Sequence, residues 1–185
     1  GRMEDVRKAV TLYAKKAGDL VYVLGMTHAE LGASEWYALY GAVGNSGPTV
    51  NVKEARTLYN ALHRAIEARC VASCHDCSDG GLGVALAEAA FSGGLGMTID
   101  LALVPAKGID RNDTLLFSES PSRFVATVAP EHREQFERIM TGCAAAPVGT
   151  VEAEGLLVIN GLKGKRIIAE NINVLKAVWQ KPLNF

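Results

Sequence analysis

The sequence lacks an excess of charge of either sign. Its 19 basic and 20 acidic side chains give a net charge of −1. Proteins that hold nucleic acid by its phosphates need clustered positive charge, and this chain has no basic excess to supply it. We therefore expect no nucleic-acid partner.

Long apolar runs are missing as well. No stretch approaches the ~20 residues that a membrane-spanning helix needs, and residues 1–6 contain no apolar segment of the signal-peptide type. From these absences we expect no membrane partner.

Cysteine is scarce and unevenly placed. Three of the four cysteines lie between residues 70 and 77, and Cys143 stands far from them. A secreted disulfide framework would spread an even set of cysteines along the chain. The distribution predicts a reducing compartment, the cytoplasm.

The composition that is present is that of a globular domain. The 185 residues are 49% hydrophobic and 21% charged, and a chain of this length can bury roughly 70% of its unfolded surface. Strand and helix patterns are mixed without strict alternation, which favours a mixed sheet covered by helices. We predict an α+β fold of three layers. The predicted strands are 19–25, 71–75, 97–103, 123–128, 148–151, 156–159 and 166–169, and the predicted helices are 51–66, 82–91, 131–140 and 173–181, with short turns near Glu35 and at 112–117.

Two of these helices have predicted core faces. Asn51 is a helix cap, with Glu54 three positions on as its partner. Three-and-four spacing places one apolar stripe of that helix against the core. Its members are Val52, Ala55, Leu58, Tyr59, Leu62 and Ile66. In the terminal helix, docking is expected through Leu175, Val178 and Trp179.

The densest group of chemically versatile residues lies between Cys70 and Gly81. Asp76, Ser78, Asp79, Gly80 and Gly81 form a predicted strand-to-helix turn, where glycine amides and the helix dipole favour an anion. The two aspartates would repel a bare phosphate, but they could accept a hydrogen bond from a ribose or hold a bridging Mg²⁺.

Two other hypotheses concern the thiols of this stretch. Cys74 and Cys77 have the spacing of a redox pair at a helix start, and Cys70, Cys74, His75 and Cys77 could be zinc ligands. Against both stands the plainer interpretation that the thiols are small buried hydrophobes.

A second candidate loop is Ser118–Arg123, between a short helix and a strand. Loops at such junctions often carry function, and Glu119 and Arg123 could equally form a surface ion pair. Neither loop contains a recognisable catalytic triad or phosphate-binding lysine motif, so we identify no catalytic residue and no metal ligand from the residues alone.

Several stretches together resemble a known family. They are residues 75–88 and 91–96, Ala17–Gly25, Leu116–Ser120, and Glu30–Glu35, where Ala33 stands in place of a usual glycine. Taken in chain order, they are similar to the second half of phosphoribosylformylglycinamidine synthases, within the aminoimidazole ribonucleotide synthetase superfamily. The resemblance covers nearly the whole chain and implies the fold of the superfamily's C-terminal domain.

The resemblance also implies a reaction. Such synthetases use ATP and Mg²⁺ to convert formylglycinamide ribonucleotide and ammonia, released from glutamine, into formylglycinamidine ribonucleotide in de novo purine biosynthesis. A glutaminase subunit and a small accessory subunit are the implied partners. The chain corresponds to the last domain only, so we expect it to be inactive alone.

The residues carried over from the family are few. Asp76, Ser78, Gly80 and Gly81 match a turn at the cleft between domains, and Ser118, Glu119 and Ser120 match a substrate loop of the first half. The resemblance further implies that in the second half this cleft is an auxiliary, largely structural nucleotide site, which leaves a scaffold role open.

The resemblance divides the chain in three. Residues 1–16 would lead in from a preceding domain, residues 17–150 would form the synthetase C-terminal domain, and residues 151–185 would add a hairpin and helix packed on it.

Overall fold

The computed structural model describes residues 5–183. It contains seven strands: β1 (Leu20–Leu24), β2 (Ser73–Asp76), β3 (Gly96–Asp100), β4 (Phe124–Val128), β5 (Ala145–Glu152), β6 (Leu156–Asn160) and β7 (Arg166–Asn171). The order in the sheet is β2-β4-β1-β5-β3-β6-β7. Within the described part of the chain, the β3–β6 pair is parallel and the other pairs of named strands are antiparallel.

Helices cover both faces of this sheet. They are α1 (Glu35–Ala38), α2 (Val52–Glu67), α3 (Gly81–Gly93), α4 (Asn112–Phe117), α5 (Arg133–Ile139) and α6 (Ile172–Gln180), with short 3₁₀ helices at Val6–Lys8, Leu101–Leu103, Pro130–His132 and Lys181–Leu183. Between residues 5 and 183, no helix has the length and apolar character needed to cross a membrane.

Alternation along β1 separates two hydrophobic cores. Val21 and Val23 face the core formed with α3, whereas Tyr22 and Leu24 face the core formed with α2 and α5. Successive strand residues point to opposite faces, so each face has its own helical layer. The predicted α+β fold with a mixed, helix-covered sheet is confirmed.

The apolar face of α2 differs from the predicted stripe. The Asn51 side chain caps the helix as predicted, accepting a hydrogen bond from the Glu54 amide at 3.3 Å. Val52 and Tyr59, however, are 72% and 47% exposed, because the helix packs through Ala55, Leu58, Ala61, Leu62 and Ala65.

Two further sequence predictions need correction. The strand predicted over 97–103 ends at Asp100, whose side chain accepts a hydrogen bond from the Ala102 amide and caps a 3₁₀ turn that buries Leu101. In α6, Leu175 packs on the core as predicted, but Val178 is 65% exposed because it lies on the outer side of the helix.

Residues 9–16 are attached to the sheet and to α3 by backbone hydrogen bonds. The Thr11 carbonyl accepts a hydrogen bond from the Cys74 amide at the outer edge of β2, and the Ala14 amide donates to the Ala89 carbonyl, both at 3.0 Å. Ala14 is 1% exposed. At the other predicted boundary, β5 runs continuously through residues 150 and 151. The division into 1–16, 17–150 and 151–185 stays a prediction.

Ala33 has a backbone conformation that suits glycine. Its φ is +58°, and its amide donates to the Val43 carbonyl in the loop after β1. We expect Ala33→Gly to raise the free energy of unfolding by about 0.5–1 kcal/mol, since the left-handed strain removed exceeds the added entropy of unfolded glycine. Urea unfolding measures this gain.

Ala177→Gly is the matched control, because Ala177 is exposed inside the regular helix α6. Its replacement should lower stability by about 1 kcal/mol. A loss in both variants would show that the conformation of Ala33 carries no strain.

Candidate functional site

Three loops meet at one end of the sheet: the loop after β1, the turn at 76–81 and the loop at 118–123. Glu119 connects them. Its Oε1 atom accepts a hydrogen bond from the Gly80 amide at 2.9 Å and another from the Glu35 amide at 2.9 Å. Gly80 precedes α3 and Glu35 opens α1, so one carboxylate receives amide donors from the start of two helices. Glu119 thus fixes the predicted turn against the predicted loop.

Gly81 allows these two loops to approach each other. Its φ is +65°, and a Cβ atom at this position would overlap the Ser118 carbonyl oxygen. The Gly81 amide donates to the Ser78 carbonyl at 3.0 Å. The Gly80 amide donates to Glu119. Neither glycine amide therefore faces a bound ligand anion as the sequence predicts for the turn. They are already engaged within the protein.

Arg123 is the largest fully buried side chain at this edge, with 1% exposure. Its Nε donates to the Ser120 carbonyl at 2.9 Å, Nη1 donates to Thr27 Oγ1 at 3.0 Å, and Nη2 donates to the Ser118 carbonyl. Burial lowers its pKa from the ordinary arginine value. The expected surface ion pair of Glu119 with Arg123 is therefore wrong, because the Arg123 side chain points inward and donates hydrogen bonds to backbone carbonyls.

The serine hydroxyls of the loop also point inward. Ser118 Oγ accepts a hydrogen bond from the Glu30 amide at 3.3 Å, and Ser120 Oγ accepts one from the His28 amide at 3.0 Å. Both serines have 0% exposure. Of the predicted site residues, Ser118 and Ser120 hold the loop after β1 in place.

The remaining predicted residues line a cavity of about 390 Å³. Asp76, Ser78, Asp79 and Glu119 contribute to its wall. The Ser78 hydroxyl donates to Asp76, and this bond, aided by the charge of His75, lowers the pKa of the Asp76 carboxyl. Asp76 is therefore ionised near neutral pH. A wall with ionised carboxylates can accept hydrogen bonds from hydroxyl or amine groups, or hold part of a divalent cation shell.

A larger cavity of about 970 Å³ lies on the other side of the same loop. Pro121 and Ser122 line both cavities, and the hydroxyls of Tyr59 and Ser122 are hydrogen-bonded at 2.7 Å. Since Tyr59 belongs to α2, this bond ties the helix to the loop between the cavities.

Glu30 is a buried acid in the wall of the larger cavity. Its Oε1 accepts hydrogen bonds from the Thr49 amide and hydroxyl, whereas Oε2 has no hydrogen-bond partner within residues 5–183. Burial raises the pKa of Glu30, but the neighbouring Ser120 and Thr49 groups outweigh that effect and lower it. The charge of Glu30 in turn favours the protonated form of buried Arg123 and offsets part of the effect of burial on the pKa of Arg123.

The sequence places Arg123 in the second candidate loop but does not predict its burial, and it does not assign Glu30 or Tyr59 to this region. The one local signal for the burial of Arg123 is its position directly before the apolar strand β4. The spacing of Tyr59 fits the α2 stripe and therefore predicts a core position instead. The role of Glu30 depends on Thr49, 19 residues away, and no local pattern reveals it.

The thiols do not have the properties of a redox pair. All four cysteines are free. Burial raises the pKa of Cys74 to about 12 and that of Cys77 to about 11. A catalytic thiol requires a lowered pKa, so the redox hypothesis lacks support. The zinc hypothesis also lacks support, since among residues 5–183 no three His, Cys, Asp or Glu side chains converge on a metal position.

These raised pKa values predict slow thiol chemistry. At pH 8 we expect the folded protein's Cys74 and Cys77 to react with a disulfide reagent at least about 100-fold more slowly than an ordinary thiol, because little thiolate forms below pH 11. Mass spectrometry of the labelled protein measures each rate. The protein unfolded in urea is the control and should label rapidly. Equal rates in the two states would contradict the assigned burial.

Comparison with known proteins links the chain to one family. The family model described as AIR synthase related protein, C-terminal domain, matches residues 16–160. The phosphoribosylformylglycinamidine synthase subunit PurL of Alkaliphilus metalliredigens is 34% identical over 186 residues, covering 99% of this chain and 24% of that protein. The subunit PurL of Moorella thermoacetica is 36% identical over 165 residues, covering 87% of this chain and 22% of that protein. The chain thus spans about a quarter of the length of these relatives.

Solved structures share the fold. Thermotoga maritima PurL complexed with FGAR aligns with a TM-score of 0.80 at 21% identity, covering 91% of this chain and 29% of that one. The T. maritima PurL complex with ATP gives 0.74 at 20% identity, covering 91% and 27%. Hydrogenase maturation protein HypE in complex with ATP gives 0.64 at 17% identity, covering 90% and 54%. At these identities the likeness establishes the fold.

Proposed function

We propose a function from the premise that the chain belongs to the AIR synthase related proteins and forms their C-terminal domain. The resemblance to phosphoribosylformylglycinamidine synthases in the sequence is thereby confirmed at the level of the family. We propose that the chain acts as the last domain of such an ATP-dependent ligase, which joins ammonia to formylglycinamide ribonucleotide in purine biosynthesis.

The observation that carries this proposal is the Glu119 junction. It holds the turn at 76–81 and the loop at 118–123 in one wall, with the carboxylate of Asp76 exposed at the rim of a cavity. Such a wall suits a domain that closes one side of a ligand cleft. The partner domain would supply the opposite side.

The residues in this wall fit a magnesium nucleotide in part. Asp76 is ionised and 62% exposed on its side chain, and Asp79 lines the same cavity. These two carboxylates would hold an Mg²⁺ ion together with oxygen atoms from outside this chain. ATP, when bound, would supply the phosphoryl group that activates the substrate's amide oxygen.

The chain's own contribution is orientation and electrostatics. The Asp76–Ser78 hydrogen bond fixes one carboxylate, and buried Arg123 keeps the 118–123 loop rigid. Fixed charges placed before a reaction lower its barrier without later rearrangement. The cytoplasm, a glutaminase subunit and a small accessory subunit complete the proposed setting.

We expect the isolated chain to have no synthetase activity, and reconstitution tests this. The chain is mixed with separately prepared preceding domains of a relative, and ADP formation is followed with formylglycinamide ribonucleotide, MgATP and ammonia. Activity that needs the mixture supports the proposal. Equal turnover without the chain, or turnover by the chain alone, would contradict it.

Asp76→Asn then tests whether the cleft takes part in the reaction. The substitution keeps the size of the side chain and removes its charge, so the reconstituted rate should fall at least about tenfold if the carboxylate holds the metal. Glu134→Gln is the matched control, since Glu134 is exposed on α5, away from either cavity. We expect it to keep full activity.

A scaffold role is the second candidate. It is favoured because Ser118, Ser120 and the Gly80 amide all make bonds within the protein. In that case any nucleotide in the cleft would be held for stability, as an auxiliary ligand. Asp76→Asn would then reduce nucleotide-dependent thermal stabilisation while leaving the reconstituted rate unchanged, which separates the two functions.

A further inference from the structure

The larger cavity, of about 970 Å³, has no role in the function proposed above. Its volume lies in the range of pockets that hold small molecules. The wall includes the buried acid Glu30, the first turn of α2 and two lysines, Lys53 and Lys107. One cavity therefore combines a hydrogen-bond acceptor with positive charge.

Glu30 supplies an unused acceptor to this wall. The residue is 5% exposed, and its Oε1 accepts from the Thr49 amide at 2.9 Å and from the Thr49 hydroxyl at 2.8 Å. Ser120 is a neighbour, but it donates its one hydroxyl proton to the His28 carbonyl. Oε2 therefore has no donor among residues 5–183. A buried polar atom without a partner costs free energy, and folded proteins almost always supply one.

The first turn of α2 supplies unused donors. Through its side-chain and backbone oxygens, Asn51 accepts hydrogen bonds from the amides of Glu54 and Ala55. The amides of Val52 and Lys53 have no acceptor in the part of the chain that the structure describes. Because α2 has 16 residues, these free amides and the helix dipole favour an anion at this end.

The charges in the wall are of both signs. Lys53 and Lys107 are exposed, and neither forms an ion pair with another residue between positions 5 and 183. Glu54 lines the same cavity, and Glu30 lies in its buried part. Such a wall suits a ligand that has an anionic group and, apart from it, a hydrogen-bond donor.

We propose that the larger cavity binds a small phosphate monoester that carries hydroxyl groups, either a free sugar phosphate or a nucleotide. The phosphate contacts the first turn of α2 and its lysine, and a hydroxyl donates to Glu30 Oε2. A bare anion would leave Oε2 without a donor, and an uncharged polyol would leave the end of α2 without an anion. This site is separate from that of the proposed function and does not depend on it.

Binding requires a small movement of the wall, because Oε2 is closed off from solvent. The segment 44–50 suits such a movement, since all of it is exposed and few hydrogen bonds attach it to the loop after β1. These are the bonds from the Gly32 amide to the Ser46 carbonyl, from the Ser46 hydroxyl to the Ala29 carbonyl, and from Thr49 to Glu30. A bound ligand should therefore slow hydrogen exchange of the amides in 44–50.

Isothermal titration calorimetry of the whole chain tests the site. With ribose 5-phosphate in EDTA, which withholds Mg²⁺ from the smaller cavity, we expect a dissociation constant below about 1 mM. Ribose and inorganic phosphate should each bind at least about tenfold more weakly. AMP identifies the source of the ligand: tighter binding than ribose 5-phosphate assigns a nucleotide, and equal or weaker binding assigns a free sugar phosphate.

Two variants locate the bound probe. Glu30→Gln keeps the size of the side chain but replaces one acceptor oxygen with a donor, so ribose 5-phosphate should bind about tenfold more weakly while inorganic phosphate is unaffected. Lys53→Gln should weaken the binding of both probes about three- to tenfold. Because Lys53 is exposed, this variant keeps the test valid if Glu30→Gln fails to fold.

Lys165→Gln is the matched control, because Lys165 is exposed in the turn between β6 and β7. It should bind ribose 5-phosphate as the wild type does. No heat with ribose 5-phosphate up to about 10 mM, or equal binding of inorganic phosphate alone, would overturn the proposal. Slower exchange at 76–80 instead of 44–50 would place the probe in the smaller cavity and would also overturn it.

Discussion

Replacing Arg123 with methionine is expected to lower the free energy of unfolding by about 3 kcal/mol or more. Methionine fills similar space but donates no hydrogen bond. The carbonyls of Ser118 and Ser120 and the hydroxyl of Thr27 would lose their donor inside the protein. The electrostatic interaction of Arg123 with the buried carboxylate of Glu30 would also be lost. Urea unfolding followed by circular dichroism measures the loss.

Two further variants identify the cause of this loss in the free energy of unfolding. Arg123→Lys keeps the charge but cannot place donors in the same planar fork, so we expect an intermediate loss. Arg56→Met makes the same chemical change at an exposed position on α2 and should cost less than about 0.5 kcal/mol. A loss in Arg123→Met as small as in Arg56→Met would show that Arg123 does not hold the loop.

The second large effect is expected for Gly81→Ala. The added Cβ would overlap the Ser118 carbonyl oxygen and would lie 2.9 Å from the Leu116 carbonyl oxygen. Because both atoms belong to the backbone, relief requires the turn and the loop to separate. The φ of +65° adds left-handed strain. We expect a loss of at least about 3 kcal/mol, or a failure to fold.

Gly94→Ala separates the two causes of the loss in Gly81→Ala, backbone strain and steric overlap. Gly94 has nearly the same φ, +68°, at the end of α3, but no atom lies within 4 Å of the position of its Cβ. We expect it to lose only about 1–2 kcal/mol, the cost of the left-handed conformation. Thermal unfolding of both variants provides the comparison. Equal losses would place the whole effect of Gly81→Ala in backbone strain.

Local patterns were sufficient for the elements of this fold. The cap at Asn51 predicted the start of α2, and the apolar run after Gly81 predicted α3. The mixed order of strand and helix patterns predicted a mixed sheet covered by helices. These signals depend on residues a few positions apart, so they can be read directly from the sequence.

The connections of the candidate site depend on distant residues. The two amides that donate to Glu119 lie 39 and 84 residues away, and Arg123 contacts Thr27 across 96 residues. No spacing rule relates such positions. Consequently the turn at Asp76–Gly81 and the loop at Ser118–Ser120 were found as motifs, but the inward direction of Ser118, Ser120 and Arg123 was not.

The segment at residues 9–16 has a consequence for protein solubility. The Thr11 carbonyl accepts a hydrogen bond from an outward amide of β2, and Ala14 packs against the side of α3 near Gly93. A chain trimmed to begin at residue 17 would present a bare strand edge beside an uncovered apolar surface. Such an edge recruits strands from other molecules. We therefore regard these residues as protection against self-association, which a boundary drawn from family resemblance alone would remove.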